Sequence, residues 1–165
     1  MPEVFLSVGS NLDREVHIPS ALAELEQRFG PLRVSSIYET AAVGFEGPPF
    51  HNLVVAFHTE LPVGRIAEML TEIEARHGRT RDCQKFASRT LDIDLLLYGD
   101  LVLREGKLIL PRDEILRYAF VLEPLAEIAP DHRHPVLGKT YRELWANFVA
   151  AQSSAGQDRV AGQVK

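Results

Sequence analysis

The amino-acid sequence predicts an α+β domain with the element order β-α-β-β-α-β and a C-terminal extension. Three observations carry this. Four short runs rich in β-branched and apolar residues read as strands. Two longer runs, one between the first and second strands and one between the third and fourth, repeat their apolar residues at helical spacing. Gly/Pro clusters separate the runs. This is the ferredoxin-like supersecondary pattern, which implies a four-stranded antiparallel sheet with helices mainly on one face. A fold of this kind implies no chemistry by itself.

The first strand is Glu3 to Val8, leaving into Gly9-Ser10-Asn11. Gly9 permits unusual backbone angles there, and Ser10 or Asn11 is positioned to cap the helix that follows. From Asp13 to Phe29 the apolar stripe is Val16, Ala21, Leu22, Leu25 and Phe29, and Gly30-Pro31 stops it. Leu32 to Glu39 is the second strand, with Val34, Ile37 and Tyr38 favouring β structure. Thr40 to Pro49 is a loop. Phe50 to Leu61 is the third strand, in which Leu53, Val55 and Phe57 face one way. Pro62 opens a second helix whose stripe is Ile66, Met69, Leu70, Ile73 and Ala75, ending at Gly78. Gly78 to Arg89 has no periodic pattern. Thr90 to Tyr98 is the fourth strand: Leu91, Ile93 and Leu95 face one way, Asp92 and Asp94 the other.

Leu101 to Leu110, with Gly106 in its middle, reads as a small hairpin. Beyond Pro111, short helical pieces are expected, broken at Pro124 and Pro130. Thr140 to Phe148 is the last helix, with Trp145 as packing. A single domain over residues 1–149 is expected, with 150–165 a frayed tail rich in Ala, Ser, Gly and Gln.

Composition narrows the function classes. The chain has 165 residues, 45% hydrophobic and 25% charged, which suits an ordinary globular domain with a sizeable core. No apolar run approaches the roughly 20 residues of a membrane span, and no signal-peptide pattern opens the chain. The net charge of −5 argues against coating a nucleic acid, because phosphate neutralisation needs a basic face. The single cysteine, Cys83, excludes an internal disulfide and a Cys-only zinc site and fits a reducing cytoplasmic setting. The six histidines show no metal-ligand spacing with it. A monomer acting on small molecules is the expectation.

Chemistry concentrates around Asp92 and Asp94. Carboxylates at i and i+2 on a strand project from one face. Such a pair suits Mg²⁺, which takes one or two carboxylates and leaves positions for water and substrate phosphates. A solvated strand face is the plain alternative. Just upstream lie Arg76, Arg79, Arg81, Lys85 and Arg89, opposed only by Asp82. A cationic loop beside a carboxylate pair is what a metal–polyphosphate site needs. The alternative is an exposed loop whose charges pair with Glu72 and Glu74. Phe50 and Asn52 also share a strand face, so a ring to stack on a flat heterocycle stands beside an amide to read its edge. The alternative is that Phe50 is core and Asn52 ends a loop. A non-catalytic binding module and a phosphoryl transferase acting on another heterocyclic alcohol are the rival classes.

The run Lys85-Phe86-Ala87-Ser88-Arg89-Thr90-Leu91-Asp92-Ile93-Asp94-Leu95-Leu96 resembles the signature of the 6-hydroxymethyl-7,8-dihydropterin pyrophosphokinases of folate biosynthesis. Val8-Gly9-Ser10-Asn11-Leu12, Ser35 to Thr40, Phe50-His51-Asn52-Leu53, Ile73 to Arg81 and Phe120 to Pro130 are similar to further blocks of that family, in the same order. The resemblance spans about Phe5 to Phe148.

It implies transfer of the terminal diphosphate of ATP to the pterin hydroxymethyl group, with two Mg²⁺ ions and release of AMP. It implies that Asp92 and Asp94 hold metal, and that Arg79, Arg81 and Arg89 are catalytic. Glu74, Arg79, Arg81, Lys85, Arg89, Arg112 and Arg117 are implied on ATP. Thr40, Val43, Phe50, Asn52, Phe86 and Phe120 are implied on the pterin, with Phe50 or Phe120 stacking. Four positions depart from the family pattern. Arg112 follows Pro111 where His is usual, Tyr118 stands where Arg is frequent, Ala41 replaces a frequent Pro, and Phe86 stands where Trp is common.

Overall fold

The computed structural model describes residues 1–40, 49–78 and 91–157, with side chains through Ser153. The elements run β1 (Glu3–Ser10), α1 (Arg14–Phe29), β2 (Arg33–Val34), β3 (Tyr38–Thr40), β4 (Phe50–His58), α2 (Val63–Arg76) and β5 (Asp92–Tyr98). They continue as β6 (Leu103–Glu105), β7 (Leu108–Leu110), α3 (Glu114–Arg117), α4 (Ala119–Ile128) and α5 (Tyr141–Gln157).

The sheet order is β2-β4-β1-β5, with β3 also paired to β4, and every pairing is antiparallel. This is the expected connectivity. The second predicted strand is one edge strand interrupted at Ser35-Ser36-Ile37. There the Ser35 hydroxyl accepts the Val54 N–H at 2.9 Å, and the Ser35 N–H donates to the Val54 carbonyl at 2.9 Å. A side chain thus stands in for a ladder bond and bends the edge.

Period-two alternation assigns each sheet face its own core. Val4, Leu6, Val8, Leu53, Val55, Phe57, Leu91, Ile93 and Leu95 meet Ile18, Ala21, Leu25, Ile66, Leu70 and Ile73 of α1 and α2. Phe29 stacks on Phe57 with centroids 4.3 Å apart. On the opposite face, Phe5, Val54, Ala56, Leu96 and Leu97 meet the C-terminal helices through Val121, Leu122, Leu125, Tyr141 and Leu144. Helices therefore cover both faces: α1 and α2 as expected, and the C-terminal extension on the other side. A bulge makes this compatible with the run Leu95-Leu96-Leu97. Phe5 pairs Leu97 while Leu6 pairs Leu95, so Leu96 is extra and consecutive leucines serve both cores.

Several local expectations change. Neither Ser10 nor Asn11 caps α1. Both are fully buried, and the Ser10 hydroxyl donates to the Leu12 carbonyl at 3.3 Å. The helix instead starts at Asp13, held at φ 51°, a conformation that Asp tolerates better than most residues. Pro124 does not break a helix but lies inside α4, as Pro19 does in α1. β4 ends at His58, before the predicted Leu61. α5 runs on to Gln157, past the expected end at Phe148; Trp145 stacks on Phe148 at 5.7 Å. The 101–110 hairpin forms, with Gly106 at φ 59° in its two-residue turn.

α1 and α2 are joined by a histidine pair. His17 Nδ1 and His77 Nδ1 are 2.7 Å apart, so one ring donates and the other accepts. Burial first, and the neighbouring His17 second, hold the His77 imidazole below its ordinary value of 6.5. Two expectations follow for stability. Phe57→Ala opens a cavity against Phe29 and lowers stability by about 3–5 kcal/mol, read as a fall in the urea midpoint at unchanged slope. Acidification also destabilises. The unfolded chain takes a proton on His77 near pH 6.5 while the folded chain resists it, so stability drops as pH falls below 6.5. A melting series from about pH 7.5 to pH 5.5 shows this drop. His77→Asn makes it shallower, leaving the part due to His134, which burial also lowers.

Candidate active site

The two sheet faces differ in how completely they are covered. The second core occupies only the half of its face that carries Phe5, Val54, Ala56, Leu96 and Leu97. By alternation the other half carries Ser7 and Gly9 of β1, Asn52 of β4, and Asp92 and Asp94 of β5. Register brings them into rows. Gly9 pairs Asn52 on one side and Asp92 on the other, and Ser7 pairs Val54 and Asp94. Residues far apart in sequence thus meet because β1 is bonded on both edges.

The row has a tight centre. A Cβ on Gly9 would lie 2.8 Å from Asn52 Oδ1. Asn52 is 6% exposed, and its Nδ2 donates to Thr40 Oγ1 at 2.9 Å. The carboxamide therefore lies across Gly9, fixed by a hydroxyl from β3. Gly9 is not among the glycines at positive φ. Its requirement is clearance for a side chain and not the unusual backbone expected from sequence.

Asp92 and Asp94 are half-buried, on one face as predicted. Arg112 Nη2 lies 3.5 Å from Asp94 Oδ1. Arg112 Nε is buried, 3.3 Å from Glu114 Oε1, without the alignment of a hydrogen bond. Glu74 Oε2 accepts the Ile93 N–H at 2.7 Å, closing part of the outer edge of β5. A cleft of about 190 Å³ opens along that edge between α2 and the β6–β7 hairpin, lined by Thr71, Glu74, Asp94, Lys107, Leu108 and Arg112. A second, of about 140 Å³, continues past Lys107 and Arg112 to Glu114 and Arg117. Lys107, Arg112 and Arg117 stand in these clefts among Glu74, Asp94, Asp113 and Glu114, a mixed set that suits a polyanion bound together with a cation.

The donor set at Asp92 and Asp94 fits Mg²⁺. Two hard carboxylate oxygens on one rigid strand face are what that ion takes from protein when substrate completes its shell. Among the described residues no group of three His, Cys, Asp or Glu side chains forms a metal cage.

Phe50 opens β4 at its pairing with Thr40 and is half-buried. Phe120, in the first turn of α4, is half-buried and stacks on Tyr118 at 5.1 Å. Tyr118, noted in the sequence only as a departure, backs the Phe120 ring. Arg76, read there as part of the cationic run, is held by Glu24 of α1 through its Nε at 2.6 Å. Glu72 is engaged by Arg28 at 3.2 Å and Arg65 at 3.5 Å. Val43, Arg79, Arg81, Lys85, Phe86 and Arg89 lie outside the described residues. The Gly9 clearance and the Thr40–Asn52 bond were not legible in sequence, because each depends on two strands meeting.

One expectation tests this geometry. Gly9→Ala forces the Asn52 carboxamide off Thr40 and costs about 1–3 kcal/mol. The check is the pair of Asn52 side-chain amide resonances, which shift in Gly9→Ala, and a Gly9→Ala/Thr40→Val cycle that is less than additive.

Residues 5–130 match the family described as 7,8-dihydro-6-hydroxymethylpterin-pyrophosphokinase (HPPK). The 2-amino-4-hydroxy-6-hydroxymethyldihydropteridine pyrophosphokinase of Synechocystis sp. is 38% identical over 140 residues, 84% of this chain and 70% of that protein. The Bacillus subtilis protein of the same name is 38% identical over 128 residues, 75% of this chain and 76% of its own length. The crystal structure of wild-type Plasmodium falciparum HPPK-DHPS with SDX-DHP aligns with a TM-score of 0.71 at 16% identity. That alignment covers 93% of this chain but only 45% of the solved one, and it supports the fold alone.

Proposed function

This chain belongs to the 7,8-dihydro-6-hydroxymethylpterin-pyrophosphokinase family, and we propose that it transfers the β,γ-diphosphate of ATP to the hydroxymethyl group of 6-hydroxymethyl-7,8-dihydropterin, in folate biosynthesis. The observation that carries this reading is the row Asn52–Gly9–Asp92, in which a fixed amide stands one strand from a carboxylate pair. An amide offers a donor and an acceptor to the edge of a flat heterocycle. A carboxylate pair offers a metal–polyphosphate anchor. Side by side they suit a reaction that joins the two substrates.

In the proposed reaction the hydroxymethyl oxygen attacks the β-phosphorus in line. The new P–O bond forms as the bond from the β-phosphorus to the oxygen bridging to the α-phosphate breaks. AMP leaves with that electron pair, and the hydroxyl proton passes to solvent water. Asn52 reads the pterin edge, with Thr40 holding its amide and Val43 beside the ring. Phe50 or Phe120 stacks on the ring, and Phe86 covers it. Glu74, Arg112 and Arg117 line the nucleotide cleft.

Asp92 and Asp94 are the residues to hold two Mg²⁺ ions, which when bound supply positive charge to the phosphate oxygens. Arg79, Arg81, Lys85 and Arg89 neutralise the phosphates further, and Arg79 and Arg81 act on charge that grows in the transition state. No general base is needed where positioning and electrostatics carry phosphoryl transfer. Arg112 beside Asp94 keeps a donor where the family usually has His, with a permanent charge. The catalytic unit acts as a cytoplasmic monomer, and its last helix, α5, carries on past the expected boundary at 149 to Gln157, away from the chemistry. Among the described residues, no helix is long and apolar enough to cross a membrane.

Product analysis tests the reading. With ATP, Mg²⁺ and the hydroxymethyl pterin, AMP forms in step with pterin diphosphate; ADP in its place would mean attack at the γ-phosphorus. Asp94→Ala lowers turnover on the order of 10³-fold while the melting temperature stays near that of the parent. Near-parental turnover in that variant overturns the metal assignment.

A further inference from the structure

β3 is an edge strand of three residues, and it carries the hydroxyl that fixes Asn52. So short a strand, paired among the described residues only to β4, is weakly held by its ladder. Glu127, near the end of α4, holds it from outside the sheet. Its Oε1 accepts the Tyr38 hydroxyl at 2.7 Å, and its Oε2 accepts the Ser36 hydroxyl at 2.8 Å. The Ser36 N–H is shared between both oxygens at 3.1 and 3.0 Å. All of these are charge-assisted bonds to one carboxylate, the stronger kind of protein hydrogen bond. Tyr38 is the register partner of Asn52, and Thr40 follows two residues later on the same face. A carboxylate on the second-core helix is thereby linked to the site amide through Tyr38, β3 and Thr40.

We infer that Glu127 is a positioning residue for pterin recognition: it docks β3 onto α4 and so sets where Thr40 holds the Asn52 carboxamide. This rests on the reading of Asn52 as the pterin-edge reader. Glu127 acts through Tyr38, β3 and Thr40, and its own hydrogen bonds go to Ser36 and Tyr38. Its effect is confined to the pterin side, because the nucleotide cleft along β5 shares no residue with β3.

The test uses the full chain with pterin titrated by its own fluorescence and ATP by steady-state kinetics. Glu127→Ala raises the pterin Kd and KM about tenfold and leaves the ATP KM within about twofold. Glu127→Gln keeps an acceptor for Tyr38 but turns an amide donor toward Ser36, and so falls between. Tyr38→Phe removes one of the bonds without touching the helix; its smaller shift in the same direction serves if Glu127→Ala does not fold. Hydrogen exchange at the Ser36 amide rises in Glu127→Ala, whatever the ligand. Equal losses for pterin and ATP, or a folded Glu127→Ala with parental pterin Kd, overturn the proposal. Failure of the broader reading is distinct, because there the parent itself binds no pterin.

Discussion

Strand β1 is hydrogen-bonded along both edges, to β4 and to β5, and the candidate site hangs on that double pairing. Through it Asn52 and Asp92 become neighbours across a single residue. That residue must leave room for a carboxamide, and glycine is the residue that does, with Asn52 Oδ1 placed 2.8 Å from where a Cβ would stand. Side-chain period is two, so a slip of one residue in either pairing would turn the amide or both carboxylates into the α1/α2 core. The packing of that core, with Leu6, Leu53 and Ile93 all buried in it, therefore maintains the chemistry on the opposite face.

The C-terminal extension has a second task beyond covering apolar surface. Its helices occupy one half of the second sheet face and leave the other half for Gly9, Asn52, Asp92 and Asp94. The bulge at Leu96 marks where β5 changes from carrying the carboxylates to filling the second core. The same extension sends Arg112 to Asp94, sets Tyr118 behind Phe120, and places Glu127 on the edge strand. Rim and support of the site thus come from a segment whose sequence reads as packing.

Electrostatics separate the two ends of the site. At the Asn52 end the polar contact is between a neutral amide and a hydroxyl, 2.9 Å apart, an arrangement that favours shape and edge recognition. Along the outer edge of β5, Lys107, Arg112 and Arg117 line the two clefts with Glu74, Asp94, Asp113 and Glu114, a mixed field that suits a polyanion together with a cation.

Sequence alone determined the β-α-β-β-α-β order, because alternation and helical spacing are local and strong. It also determined that Asp92 and Asp94 share a face, and likewise Phe50 and Asn52, since each pair lies at i and i+2 on one strand. It misassigned what depends on neighbours from elsewhere. Ser10 and Asn11 look like helix caps but are buried, and Gly9 looks like a turn residue but is a clearance. Pro124 looks like a break but is accommodated within α4. Arg76 looks like part of the cationic loop but is held by Glu24, 52 residues away in the chain. Only the tertiary structure decided that Asn52 and the carboxylate pair meet across Gly9, that the C-terminal helices stop short of them, and that Glu127 reaches Tyr38. Register, close approach and long-range hydrogen bonds are properties of pairs of segments, and no single segment's pattern contains them.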